Sequence, residues 1–177
     1  MFYSLSSELS LSKAQPILLL DVDGVINYVG DGGAWRDQKE KMKLKRVNWW
    51  NIRWSTEVVL KINYWGRNLA DIRWLTSWDE KARLLLAPAL GIDEFPLARD
   101  PSMWHKAHAA DIVDQTYPGI PICWIDDELD SFLHDTDRGH FYWESRPNTL
   151  LIQPSEKKGL QPDDLARIES FLIEHSK

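Results

Sequence analysis

The stretch "PILLLDVDGVINYVGDGG", residues 16–33, decides how the chain reads. Its continuous apolar run, 17–20, has the length of a strand buried on both faces of a parallel sheet. The run ends in Asp21 and Asp23, two acids of the same parity, and Gly24 follows at once. Side chains two apart on an extended segment point the same way. Two ionised carboxylates held that close raise each other's pKa. The arrangement is tolerable with a divalent cation between them, or with one of them working as an acid. Gly24 allows a tight turn and a close approach of the backbone to a ligand.

A second stretch, "IPICWIDDELD", repeats the pattern: an apolar strand over 120–125 closed by Asp126 and Asp127. Between the two lies "MKLKRVNWWNIRW", which alternates in part and reads as a hairpin or flap. "STEVVLKINYWGRNLA" is a helix, capped by Ser55 or Thr56, with Val58, Val59, Ile62 and Trp65 at helical spacing. "IRWLTSW" is a strand over 72–75 that ends in Thr76 and Ser77. "DEKARLLLAPALG" is a helix stopped at Gly91. A short strand is expected over 95–98, then a helix in "PSMWHKAHAADIVDQTYPG". "NTLLIQP" is the last strand, and a terminal helix buries Leu165, Ile168, Phe171 and Leu172.

Strands that alternate with helices imply an α/β fold: a three-layer, Rossmann-like parallel sheet with helices on both faces. In such sheets the ligand lies beyond the carboxyl ends of the strands. Those ends carry Asp21 and Asp23, Thr76 and Ser77, and Asp126 and Asp127. The expected organisation is a polar arm over 1–15 and one domain over 16–177, with an insert at about 30–55.

The totals fit this reading. The chain has 177 residues, 44% of them hydrophobic and 27% charged, as in an ordinary globular domain. Cys123 is the only cysteine, so neither an internal disulfide nor a cysteine zinc cluster is available. That suits a reducing cytoplasm. The first residues lack a basic leader and a continuous apolar segment, and no run reaches the length of a membrane span. His105 and His108 lie three apart on an expected helix, without a third ligand of matching geometry. Cys123, inside an apolar strand, reads as a small core residue.

"LLLDVDGVIN" resembles the first motif of the haloacid dehalogenase (HAD) superfamily of phosphohydrolases. "IRWLTSW" resembles its second motif, Lys106 in "MWHKAHA" stands where the third has its lysine, and "ICWIDDE" resembles the acidic fourth. The order is the family's. Over most of its length the chain is also similar to the HAD domain of Swiss Army Knife RNA repair proteins. The resemblance implies a Mg²⁺-dependent phosphatase. Asp21 would be its nucleophile, and Asp23 the acid and then the base. Thr76, or Ser77 one residue on, would hold a phosphoryl oxygen, and Lys106 would neutralise phosphate charge. Asp21, the backbone carbonyl of Asp23, and Asp127 or Asp126 would hold the metal.

The insert from Gly30 to Ser55 carries seven basic and three acidic residues, net +4 in a chain of net −6. Lys43, Lys45, Arg46 and Arg53 alternate there with Trp49, Trp50 and Trp54. Basic residues interleaved with aromatics suit a phosphate backbone and stacked bases; a solvated hairpin whose tryptophans pack on the domain has the same composition. An insert this short is a flap rather than a cap domain, so the site is expected to be open to large phosphorylated substrates such as polynucleotide ends. Two other functions fit these residues: a phosphatase of small nucleotides or sugar phosphates, and a non-catalytic HAD-like module that binds nucleic acid or protein.

Overall fold

The computed structural model describes residues 14–98 and 105–176. Most of the expected arm, 1–13, and the start of the helix expected from 101 lie outside the described residues. Four parallel strands form one sheet in the order β4-β1-β5-β6: β1 is Ile17–Leu20, β4 Asp71–Trp74, β5 Ile122–Ile125 and β6 Thr149–Ile152. The order places β1, with its aspartates, in the interior of the sheet. Leu20 pairs with Trp74 on one side and with Ile125 on the other, and Ile125 pairs with Ile152. All four strands therefore end in one row.

Alternation along the strands divides the core into two layers. Leu18 and Leu20 pack with Ile72, Trp74, Cys123 and Ile125 against α1 (Thr56–Asn68) and α6 (Pro162–His175). Ile17 and Leu19 pack with Ile122 and Trp124 against α3 (Lys106–Thr116), α4 (Leu129–Asp135) and α5 (His140–Ser145). The sheet thus has helices on both faces, an α/β arrangement compatible with a Rossmann-like fold. Ser55 caps α1 by accepting from the Glu57 amide, a contact worth about 1 kcal/mol in typical helices. Val58, Val59, Ile62 and Trp65 form its buried face, each contributing roughly 1.5–3 kcal/mol.

Three expectations are corrected. The helix expected before Gly91 opens as a π-helical turn, Ala82–Leu86, before the short α2 (Ala87–Leu90). Pro88 has no N–H to give the preceding turn, and a widened turn accommodates that loss. Gly91 does end the helix, with φ 77°. The strand expected over 95–98 is a single bridge between Trp74 and Leu97. Helices α4 and α5 were not expected; at seven and six residues they are too short to show a helical period.

Between β1 and α1 the chain forms a tight loop, a short helical turn (Gly33–Trp35) and a two-stranded ribbon of β2 (Met42–Val47) and β3 (Trp50–Ser55). The expected insert is this ribbon and its lead-in. No helix among the described residues is long and apolar enough to cross a membrane.

Candidate active site

The common end row of the strands builds the site. The Asp21 amide donates to the Ile125 carbonyl, the Leu75 amide to the Leu20 carbonyl, and the Asp126 amide to the Ile152 carbonyl. Asp21 and Asp126 thus begin the loops of neighbouring strands at equal height. Asp21 shares the parity of Leu19, and Asp126 that of Trp124, so both face the layer that contains α3. Lys106, the first residue of α3, reaches both: its Nζ lies 2.7 Å from Asp21 Oδ2 and 2.9 Å from Asp126 Oδ2.

Asp127 completes the group. Among the described residues, Asp21, Asp126 and Asp127 are the one set of three or more acidic, histidine or cysteine side chains whose ligand atoms lie within 4.8 Å of one another. Asp127 closes on the β1 loop because Gly24 has no side chain. Gly24 also has φ 69°, in the left-handed region that favours glycine.

Three carboxyl groups share this set with a single ammonium. Burial pushes the Asp21 carboxyl up, with the Lys106 ammonium opposing it. Burial and then repulsion from Asp21 push Asp126 up to about 7. Burial, then Asp21 and Glu128, push Asp127 up to about 6. Burial alone would lower the Lys106 pKa, but Asp21 and Asp126 outweigh it, so the ammonium is held above its ordinary value. Three carboxylates against one ammonium leave two net negative charges when all are ionised. An all-oxygen donor set with that deficit could hold a metal cation. Within the set, the Asp126 carboxylate already accepts from Lys106 and from the Glu128 amide.

Asp23 departs from the sequence expectation. Its side chain is not part of the converging acid set, although its parity matches that of Asp21. The segment after Val22 is not extended: the amides of Val25, Ile26 and Asn27 fold back onto the Val22 carbonyl. Asp23 Oδ2 instead accepts from Trp78 Nε1 at 2.8 Å, and Oδ1 from Asn27 Nδ2 at 2.7 Å.

Thr76 is buried, and its hydroxyl is hydrogen-bonded to the Asp21 carboxylate; it also accepts from the Trp78 amide at 3.3 Å. Ser77, the neighbouring alternative, is exposed. Thr76 is thus the hydroxyl that the structure brings to Asp21.

The ribbon residues divide. Cross-strand partners share a face, so Lys43 and Lys45 stand with buried Trp54 and Ile52, while Arg46 and Arg53 stand opposite, with Leu44 and Asn51. Lys45 Nζ reaches the Ala89 carbonyl at 3.2 Å. Lys43 and Lys45 therefore lie on one face of the ribbon, and Arg46 and Arg53 on the other. Trp49, at the turn, is 77% exposed. Trp35 and Trp54 are core residues.

Sequence reasoning missed Trp78 and Asn27, the two donors to Asp23. The signals were faint: a polar residue four after Asp23, and an unusual excess of tryptophan. His108 pairs with Asp137 at 3.0 Å and, among the described residues, belongs to no cluster of potential metal ligands.

No family model, curated protein or solved structure matches the chain.

Proposed function

We propose that the chain is a Mg²⁺-dependent phosphatase of the HAD type, working through an aspartyl-phosphate. The observation that carries this reading is the convergence of Asp21, Asp126 and Asp127 within 4.8 Å beside Lys106, at the carboxyl end of the sheet. Asp21, Asp127 and Asp126 would hold the cation. When bound, it would cancel carboxylate charge and orient a phosphate oxygen.

The chain's own groups then divide the chemistry. The Asp21 carboxylate attacks phosphorus as the ester O–P bond breaks, and the leaving oxygen takes a proton from Asp23. Asp23 next removes a proton from a water, which attacks phosphorus and frees Asp21 and inorganic phosphate. Lys106 holds Asp21 in place and offsets the charge of the incoming phosphate. Thr76 supplies a hydroxyl beside Asp21 for a phosphoryl oxygen. Positioning and charge neutralisation are what phosphoryl transfer mainly requires.

A large phosphorylated substrate, such as a polynucleotide end, is the preferred class. Its support is the exposed, basic, Trp49-bearing ribbon, and the absence of any larger insert between β1 and α1. RNA repair would be a fitting setting. The deciding experiment is a phosphate-release screen with Mg²⁺ and with EDTA. It spans mononucleotides, sugar phosphates and oligonucleotides phosphorylated at either end. Metal-dependent release that Asp21→Asn abolishes supports the reading. Activity that persists in Asp21→Asn removes the nucleophile.

A further inference from the structure

We infer that the β2–β3 ribbon holds the Asp23 carboxylate in its working orientation, acting through Trp78 and Asn27 as positioning residues. The inference rests on the phosphatase reading, in which Asp23 delivers the proton to the leaving oxygen.

Both oxygens of Asp23 are engaged, each by a different donor: Oδ2 by the Trp78 indole N–H and Oδ1 by the Asn27 amide. A carboxyl group pinned at both oxygens cannot turn about its Cβ–Cγ bond.

Each donor is fixed in turn by strand β3. The Trp50 ring lies against that of Trp78, with centroids 4.8 Å apart. The Arg53 amide donates to Asn27 Oδ1 at 2.9 Å, and the Tyr28 amide donates back to the Arg53 carbonyl at 3.2 Å. Because Asn27 Oδ1 is taken by Arg53, its Nδ2 must face Asp23. One strand outside the main sheet therefore sets both contacts, from two separate positions. Trp78 itself is buried, and its backbone amide donates to the Thr76 hydroxyl. The ribbon is thus linked to proton transfer through Asp23.

A positioning role predicts dependence on the leaving group, which a purely structural role does not. Para-nitrophenyl phosphate expels a weakly basic phenolate that needs little help from an acid. Para-nitrobenzyl phosphate, of similar size, expels an alkoxide that needs the proton. kcat/KM for both is measured with Mg²⁺ for wild type, Trp78→Phe, Trp50→Ala and Trp50→Phe. Trp78→Phe keeps a ring but removes the donor. Trp50 is 41% exposed, so its replacement tests the link even where Trp78→Phe does not fold. The expected result is a loss on the benzyl ester at least ~10-fold greater than on the aryl ester, in both Trp78→Phe and Trp50→Ala, a fraction of the ~10²–10⁴-fold that general acid catalysis supplies. Trp50→Phe should restore most of it. Equal losses on the two esters, or no loss on either, overturn the inference and leave the phosphatase reading standing. A selective loss in Trp78→Phe with Trp50→Ala unchanged on both esters overturns the ribbon's part. Failure of wild type to hydrolyse either ester overturns the phosphatase reading, and the inference with it.

Discussion

Gly24 and Asp127 share a space that admits only one side chain: a Cβ on Gly24 would lie 2.2 Å from Cγ of Asp127. The β1 loop and the β5 loop are therefore matched to each other. The absence of a side chain on one lets the carboxylate of the other come within reach of Asp21.

Gly24→Ala should accordingly separate the acid set. The new methyl must displace Asp127, and a backbone at φ 69° is strained for any residue with a Cβ. The expected outcome is a lower melting temperature and a weakened response to Mg²⁺, read by thermal denaturation with and without the metal. An unchanged Mg²⁺ response would show that Asp127 is not needed for cation binding.

The division of labour between Asp126 and Asp127 gives a second test. Asp126 is already occupied by Lys106 and the Glu128 amide, whereas Asp127 stands on the loop side, less deeply buried. Mg²⁺ should raise the melting temperature of wild type, because it binds the folded site and hardly the unfolded chain. Asp127→Ala should reduce that rise more than Asp126→Ala does. The reverse order would make Asp126 the principal ligand.

The pH dependence of stability should change sign with the metal. Without a cation, Asp126 and Asp127 have folded pKa values of about 7 and about 6, raised by burial and by neighbouring acids. A raised carboxyl favours the folded state only while it is protonated. That contribution is complete below the unfolded pKa of about 3.9 and is lost as pH climbs through the folded values. Metal-free protein should therefore melt higher at about pH 5.5 than at about pH 7.5. With saturating Mg²⁺ the order should reverse, because protons compete with the cation for the same oxygens. Parallel pH curves with and without metal would remove the acid set as the cation site.

Lys106 holds two buried carboxylates, and losing one partner of a buried pair typically costs about 3–5 kcal/mol. Lys106→Met should lower the melting temperature and abolish turnover. It should also enlarge the Mg²⁺-induced rise, since the cation then meets three acids with no ammonium among them. A smaller rise than in wild type would mean that Lys106 shapes the site for the metal rather than sharing its charge.

Much of this was legible in sequence because continuous apolar runs and their closing acids are local signals. The run at 17–20, the pair Asp126 and Asp127 and the helix capped by Ser55 all rest on neighbouring residues. The order of the strands was not local, and with it came the equal height of Asp21 and Asp126, which depends on register across three strands. The orientation of Asp23 was illegible for a related reason. Parity holds only while a strand continues, and the fold-back onto the Val22 carbonyl ends it one residue before Asp23. The ribbon was legible as a ribbon, but its composition concealed which face each basic residue takes.

That division of faces carries the last prediction. If the ribbon guides a polynucleotide, its outward face does so, with Arg46 and Arg53 on one side and Trp49 at the turn. A single-stranded oligonucleotide should then bind with an affinity that falls steeply with salt. Replacing Arg46 and Arg53 with Ala should flatten that salt dependence more than replacing Lys43 and Lys45, because the lysines share a face with buried Ile52 and Trp54. Trp49→Ala should cost about 1–3 kcal/mol for each base that stacks on it. In turnover, the arginine pair should raise KM for a phosphorylated oligonucleotide and leave para-nitrophenyl phosphate unaffected, since the small ester meets only the groups around Asp21. Equal effects on both substrates would make the ribbon a support for the site. Salt-independent binding, or none, would leave small phosphate esters as the substrate class.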